Sequence, residues 1–278
     1  MTHSCRGADQ PHDLAHASCT GPRVTRAALF AVGACLPLAS VAELSNDLLL
    51  GPGLRSRPAY DGSDERRTEL VPVLRWFGPH AFARSTQGVA EAGLRAELAP
   101  GLHIGTQLAY EGGRITSQSD FLESHNLPNI RRGASIGLHM EWDQKVGPVP
   151  LTLLARARQN LDSDLGAQAD LRLSAGLFRG GPVALGLMTQ FTWANAKSTG
   201  AFYGITPQQS VATGLPAFGA RSGLLFSSLG LLWSVDLSPS WVIVGSAESR
   251  RLHGDAAHSP LTQRHSNHYV NAGVAYRF

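Results

Sequence analysis

From about residue 45 to the end of the chain, apolar and polar residues alternate with a period of two, in stretches of about ten residues. Ile136, Leu138, Met140 and Trp142 are set against Ser135, Gly137, His139, Glu141 and Asp143. Leu102, Ile104, Thr106, Leu108 and Tyr110 oppose His103, Gly105, Gln107 and Glu111, and Ala169, Leu171, Leu173, Ala175 and Leu177 oppose Gln168, Asp170, Arg172 and Ser174. Ala90, Ala92, Leu94, Ala96 and Leu98 stand against Glu91, Arg95 and Glu97. Leu225, Leu229, Leu231, Trp233, Val235 and Leu237 stand against Ser228, Gly230, Ser234 and Asp236. Successive side chains of a strand point to opposite faces, so each stretch makes a two-faced strand and none makes an amphipathic helix. In a soluble sandwich the apolar face is the core. In a transmembrane barrel it meets lipid, and the polar face lines the interior.

Two features favour the barrel. Strands of about ten residues are long enough to cross a bilayer at a tilt. The connections also alternate in length. Short turns fall at 77–80, 99–101, 146–148, 180–182 and 238–240, and long polar connections near 57–66, 112–130, 194–219 and 251–266, matching short periplasmic turns and longer outer loops. The expected strands are 45–55, 67–77, 80–87, 89–98, 102–111, 132–143, 150–160, 167–178, 182–193, 221–237, 241–250 and 267–278. That is an all-β, antiparallel transmembrane barrel of twelve strands, or ten if the weak third one is dropped, with both termini in the periplasm. Trp76, Phe77, Trp142, Phe178, Trp233, Trp241, Tyr276 and Phe278 fall at the periplasmic ends, and Tyr110, Phe191 and Trp193 at the opposite ends, as two interfacial girdles require. The last strand carries Asn271 and Gly273 on one face, with Tyr276 and a final Phe278 on the other. It resembles the closing strand by which bacterial barrels are recognised by their assembly machinery.

The N-terminus reads as a secretory signal. Arg23 and Arg26 precede an apolar run, Ala27–Leu38, and Ser40-Val41-Ala42 offers a small-residue cleavage site before Glu43. Val32-Gly33-Ala34-Cys35 is a looser match to a lipoprotein box and is the minor reading. The expected organisation is an extension and signal over 1–42 and one barrel domain over 43–278. Cys5, Cys19 and Cys35 all precede the cleavage site, so the mature chain would have no disulfide and no thiolate site. A formal charge of +3 over 278 residues gives no reason to expect a nucleic-acid partner.

Motifs for chemistry are sparse. There is no Walker loop, no G-x-S-x-G, no H-E-x-x-H and no C-x-x-C. His253, His258, His265 and His268 cluster near Asp255, but their spacing fits no metal-ligand pattern. Ser259, His258 and Asp255 are too close in sequence to suggest a triad. No catalytic residue, metal or cofactor is expected. The polar face carries both signs, in Glu91, Arg95, Glu97, Glu111, Glu141, Asp143, Arg156, Arg158, Asp170, Arg172 and Arg277, which favours pairing inside the barrel over a ring of one sign.

Several segments resemble the MipA/OmpV family of outer-membrane proteins, also called MltA-interacting proteins. Arg57-Pro58-Ala59-Tyr60-Asp61-Gly62-Ser63 matches an early P-x-Y-x-G-S pattern, and Tyr110-Glu111-Gly112-Gly113-Arg114 a tyrosine-to-G-R segment. The run from Phe202-Tyr203-Gly204-Ile205 on to Thr213-Gly214-Leu215-Pro216-Ala217-Phe218 matches a third segment, with Phe202, Ile205, Thr213 and Phe218 departing from the usual residues. Leu252-His253-Gly254-Asp255-Ala256-Ala257-His258-Ser259-Pro260 matches L-x-G-D-A-A-x-S-P. The resemblance marks Tyr60, Gly62, Ser63, Gly113, Arg114, Tyr203, Gly204, Gly214, Gly254, Asp255, Ser259 and Pro260 as loop-motif residues. It implies a barrel in the bacterial outer membrane, in contact with its lipid, with no catalytic residues to carry over. It also implies a scaffold role, bringing a lytic transglycosylase to a murein synthase. The alternative function is a small pore or solute channel.

Overall fold

The computed structural model describes residues 48–86 and 88–278. The proposed signal, the three cysteines and the first residues of the first expected strand lie outside the described residues. The strands are β1 (Leu49–Pro58), β2 (Arg66–Phe77), β3 (Ala81–Thr86), β4 (Val89–Ala99), β5 (Leu102–Glu111), β6 (Gly133–Val146), β7 (Val149–Asn160), β8 (Ala167–Gly180), β9 (Val183–Ala194), β10 (Gly223–Asp236), β11 (Trp241–Leu252) and β12 (Ser266–Arg277). Each pairs antiparallel with its neighbour in sequence, and β1 pairs with β12, closing the barrel. Closure pairs the first and last strands of the sheet with each other. The third strand is present but short, so the count is twelve.

The outer surface is apolar where a soluble protein would be polar. Leu94 and Leu138 are each 64% exposed, and Leu108, Ile136, Leu171, Leu173, Leu229 and Val270 are also exposed. Such a belt around a closed barrel fits lipid as its solvent. Trp142, Phe178, Trp241, Tyr276 and Phe278 lie exposed near the short-turn end, and Trp241, Tyr276 and Phe278 stack edge to face, with ring centres 5.2 and 4.8 Å apart. Two expected outward residues turn inward. Phe77 lies beside Phe82 over the interior, 6.0 Å between centres, because it ends β2 on the inward parity of Val73 and Arg75. Leu225 is buried because a bulge between Leu224 and Phe226 shifts the alternation of β10.

At the closing seam, Leu49–Leu50 and Gly53–Ser56 of β1 pair with β12, while Gly51 and Pro52 are skipped. Pro52 has no N–H to give the ladder. A side chain on Gly51 would run into the carbonyl of Val274, and the Val73 side chain packs over Gly53 and Gly273. Gly273 therefore has a packing role at the seam, and Asn271 donates to Ser246 Oγ at 2.7 Å.

The outer loops hold short helices that the polar sequence did not announce: α1 (Asp120–Ser124), α2 (Ala196–Tyr203), α3 (Pro207–Thr213) and α4 (Gly254–His258). Their starts have physical causes. Ser119, Asn195 and Thr206 each cap the next helix with a side-chain oxygen, and Gln209 returns a bond to the Thr206 backbone. Not all outer connections are long. Residues 161–166 are tight, and β4 starts at Val89 soon after β3 ends at Thr86, so the wall stands low at that hairpin.

Candidate functional site: a filled lumen under a loop cap

The inward face of the barrel is occupied by a connected charge network. A barrel of about eight strands is filled by ordinary side chains, and a wider one leaves space. Here arginines fill much of it. Arg156 on β7 clasps Asp170 on β8 through Nε at 2.9 Å and Nη2 at 3.3 Å, and its Nη1 donates to Glu91 on β4. Arg84 on β3 donates to Glu91 and to Glu141 on β6, both at 2.9 Å. Arg158 joins Glu111 at 2.8 Å and Asp170 at 3.4 Å. Gln190 accepts from Arg172 and donates to Asp170 at 3.1 Å. Strands three apart in the wall, β4 with β7 and β3 with β6, are joined only because the side chains cross the interior. Glu91, Arg156, Asp170 and Gln190 are all buried. Opposite charges that satisfy one another in this way make a plug rather than a charged ring.

Of the interior charges expected from sequence, Glu91, Glu111, Glu141, Arg156, Arg158, Asp170 and Arg172 join this network. Asp143 instead accepts from Thr152 at 2.6 Å, and Arg277 pairs with Asp236 at 2.8 Å near the turns. Glu97 is exposed and accepts from Gly101 N at 3.0 Å. Arg95 lies among Phe77, Phe82, His103, His139 and Glu141, which line a narrow crevice. Arg84 escaped the sequence reading because β3 was its weakest strand. Arg250 escaped because its partner Asp61 lies far away in sequence, and Glu248 escaped with it because it pairs with Arg250.

Above the plug, the loop-motif residues converge. Tyr60 is buried with Ala59, Leu122, Leu127, Ile205 and Leu261, and its hydroxyl donates to the Leu261 carbonyl at 2.8 Å. Gly62 (φ 102°) turns the β1–β2 loop with a conformation costly for other residues, and its carbonyl accepts from the backbones of Gln263 and Arg264, both at 2.8 Å. Asn267 accepts from Gly62 N and donates to the buried Ser63 carbonyl. Gly113 lies so close to the Ile130 carbonyl that a side chain cannot fit, and Arg114 donates to the Phe202 carbonyl at 2.7 Å. Tyr203 sits in a second cluster with Leu225, Phe226, Leu252 and Ala256, and its carbonyl accepts from Ser259 Oγ at 2.6 Å. Burial pushes the Tyr60 and Tyr203 phenols above their ordinary range. Gly204 and Gly214 end α2 and α3, Gly254 opens α4, and Pro260 follows Ser259 into the buried Leu261.

Asp255 pairs with Arg221 at 3.0 Å on the surface, and His258 Nδ1 meets the Gly254 carbonyl at 2.7 Å. Ser259, His258 and Asp255 therefore each bond elsewhere and form no relay. Among the described residues no group of three His, Cys, Asp or Glu side chains is placed to hold a metal. Asp61 ties the cap to the wall. Its carboxylate accepts from Arg250 Nη1 at 2.7 Å and from the Tyr269 hydroxyl. Burial alone would raise the Asp61 carboxyl, but the Arg250 guanidinium and the Tyr269 hydrogen bond outweigh it and hold the carboxyl below its ordinary value. A depressed carboxyl stabilises the fold above its unfolded value of about 4, and that contribution is lost as pH falls further through the folded value. Protease cleavage of the outer loops is therefore expected to be slow and constant from pH 7 to about 5, then to quicken below about pH 4. In Asp61→Asn the acid-dependent rise is expected to be absent. An unchanged acid response in that variant would remove Asp61 from the role.

The closed antiparallel barrel, its lipid-facing belt and its short-turn and long-loop ends define an integral outer-membrane β-barrel protein. The match to the family model described as MltA-interacting protein MipA runs over residues 50–278, and the chain belongs to that family. No curated protein matches the sequence. Among solved structures, an outer-membrane channel from Pseudomonas putida F1 is similar at a TM-score of 0.48 and 10% identity, covering 85% of this chain and 97% of that one. The NanC porin gives 0.47 and 10%, covering 83% and 100%. LpxR from Salmonella typhimurium gives 0.41 and 8%, covering 82% and 100%. At these identities the likeness is one of barrel architecture alone.

Proposed function

We propose that the chain is a non-enzymatic, non-conducting outer-membrane scaffold that holds a lytic transglycosylase of the MltA type at its periplasmic face, near a murein synthase. The observation that carries this reading is the interior: the Arg156 network plugs the lumen beneath a buried loop cap, so little of the barrel is arranged for passage. The family description supplies the partner class. On this reading residues 1–42 are an extension and signal removed on export, 43–278 is the single mature domain, and the Asn271–Phe278 strand is what the assembly machinery reads. The periplasmic turns at 143–149 and 237–241 are the surfaces available for the partner.

Two measurements on the purified, heat-modifiable barrel test the proposal. In planar bilayers it is expected to give no stable unitary steps. Immobilised, it is expected to capture a purified lytic transglycosylase of the MltA type, and substitutions in the 237–241 turn are expected to weaken capture. Stable conductance with no capture would replace the scaffold by a small pore.

A further inference from the structure

The barrel wall is closed in topology but not along its whole height. Strand β2 pairs with β1 from Arg66 through Arg75, yet it pairs with β3 only at Arg75, Trp76 and Phe77. One residue higher, the Leu74 N–H reaches Ser85 Oγ at 3.0 Å instead of a backbone partner. Above that, among the described residues, the edge of β2 from Arg66 to Val73 has no strand beside it on the β3 side. The sequence fits this edge. Pro72 stands opposite Pro52, and its parity is that of Leu74, so its missing N–H faces the gap. Thr68 and Leu70 share that parity and direct their backbone groups the same way. Leu70 is 79% exposed, more than any other large apolar strand residue among those described.

The gap has defined borders. Below is the β3–β4 hairpin, where the Arg55 guanidinium fills the space that a side chain on Gly88 would need. Above, the Glu65 carboxylate accepts from the backbone N–H groups of Asp120 and Phe121 at 3.0 and 3.1 Å, tying α1 to the top of β2. The outer end is basic. Arg55, Arg57 and Arg67 share the single carboxylate of Glu69. Arg67 Nη1 is buried without a partner, Arg132 lies within electrostatic reach of it, and Arg132 is exposed.

Unpaired backbone groups are not stable against hydrocarbon, so something must cover this edge within the membrane. A continuous protein strand would find no donor at Pro72. A phosphorylated amphiphile has both halves of the required chemistry: an acyl chain for Leu70 and Pro72, and an anionic headgroup for the arginines at the outer end. We propose that the β2–β3 gap is a lateral binding site for a phosphate-bearing lipid of the outer leaflet, its acyl chain lying along the open edge at Leu70 and Pro72 and its phosphate reaching across that edge to Arg67, which shares the inward parity, and to Arg132. The proposal is independent of whether the periplasmic face binds a transglycosylase.

The test is photo-crosslinking of the full chain, purified from outer membranes in detergent, with a diazirine-bearing phosphatidic acid and with a diazirine-bearing diacylglycerol that lacks the phosphate. Phosphatidic acid is expected to label the peptide containing Leu70 and Pro72 at least about tenfold more than diacylglycerol does. The excess is expected to vanish in an Arg67→Gln, Arg132→Gln double variant that keeps its heat-modifiable mobility. Should that variant not fold, Leu70→Trp keeps both arginines and is expected to abolish the labelling by filling the edge. Equal labelling by both probes, or adducts spread evenly over Leu94, Leu138 and Leu229, would mean annular lipid only and overturn the site. Full displacement by inorganic phosphate would mean a free-anion site, and would overturn the lipid assignment as well.

Discussion

Arg156→Ala is expected to lower the unfolding free energy of the barrel by about 3–5 kcal/mol, the usual loss when one partner of a buried ion pair is removed. The magnitude follows from what the substitution leaves behind. Arg156 bridges Asp170 and Glu91, and all three side chains are almost wholly buried. Without the guanidinium, two carboxylates share the interior with fewer partners. Arg158 still reaches Asp170 at 3.4 Å and Arg84 still reaches Glu91 at 2.9 Å, so the network is weakened rather than dissolved. Urea titration of the refolded barrel, followed by tryptophan fluorescence, measures the loss. A double change, Arg156→Met with Glu91→Met, removes a charge of each sign and fills the space with apolar volume. It is expected to recover at least half of the loss, since apolar replacement of a whole buried pair is often near neutral. A single-variant loss below about 1 kcal/mol would mean that water in the lumen screens the pair, as at a surface, and the plug would have to be reconsidered.

Much of this fold is legible in the sequence because the two-residue period of a strand and the lipid solvent impose a simple pattern. The faces of β4, β5, β6 and β8 follow directly from Leu94, Leu108, Leu138 and Leu171. Where the pattern misleads, a local cause is present. The bulge at Leu224–Phe226 inverts Leu225, and Phe77 follows inward parity although its ring suits a girdle. The expected first strand, 45–55, runs on to Pro58, since its pairing with β2 continues to Pro58 and Arg66. The site is less legible. Interior charges can be listed from parity, but which of them meet depends on which strands face one another across the lumen. Arg84 with Glu141, or Arg250 with Asp61, are such non-local choices. The loop helices are quieter still. Their signals are single capping residues such as Asn195 and Thr206 inside polar stretches.

The second large effect is expected at the cap. Tyr60→Ala removes a buried aromatic ring from the cluster of Leu122, Leu127, Ile205 and Leu261, along with the hydroxyl that meets the Leu261 carbonyl. Loss of a buried aromatic side chain costs about 3–5 kcal/mol. The cap is joined to the wall by loops rather than by ladder hydrogen bonds, so the loss is expected to appear as local opening while the barrel keeps its heat-modifiable mobility. Three kcal/mol of local destabilisation corresponds to about a hundredfold faster cleavage when the open form is what the protease attacks. Trypsin cleavage at the outer-loop residues Arg114 and Lys197 is therefore expected to accelerate by about that factor. Conductance separates the two layers of closure. With the cap open, Arg156, Glu91 and Asp170 still fill the lumen, so Tyr60→Ala alone is expected to remain silent in planar bilayers. Combined with Arg156→Ala it is expected to give intermittent steps. Steady conductance in Tyr60→Ala alone would make the cap the sole barrier, and would move this barrel from the scaffold reading toward a gated pore.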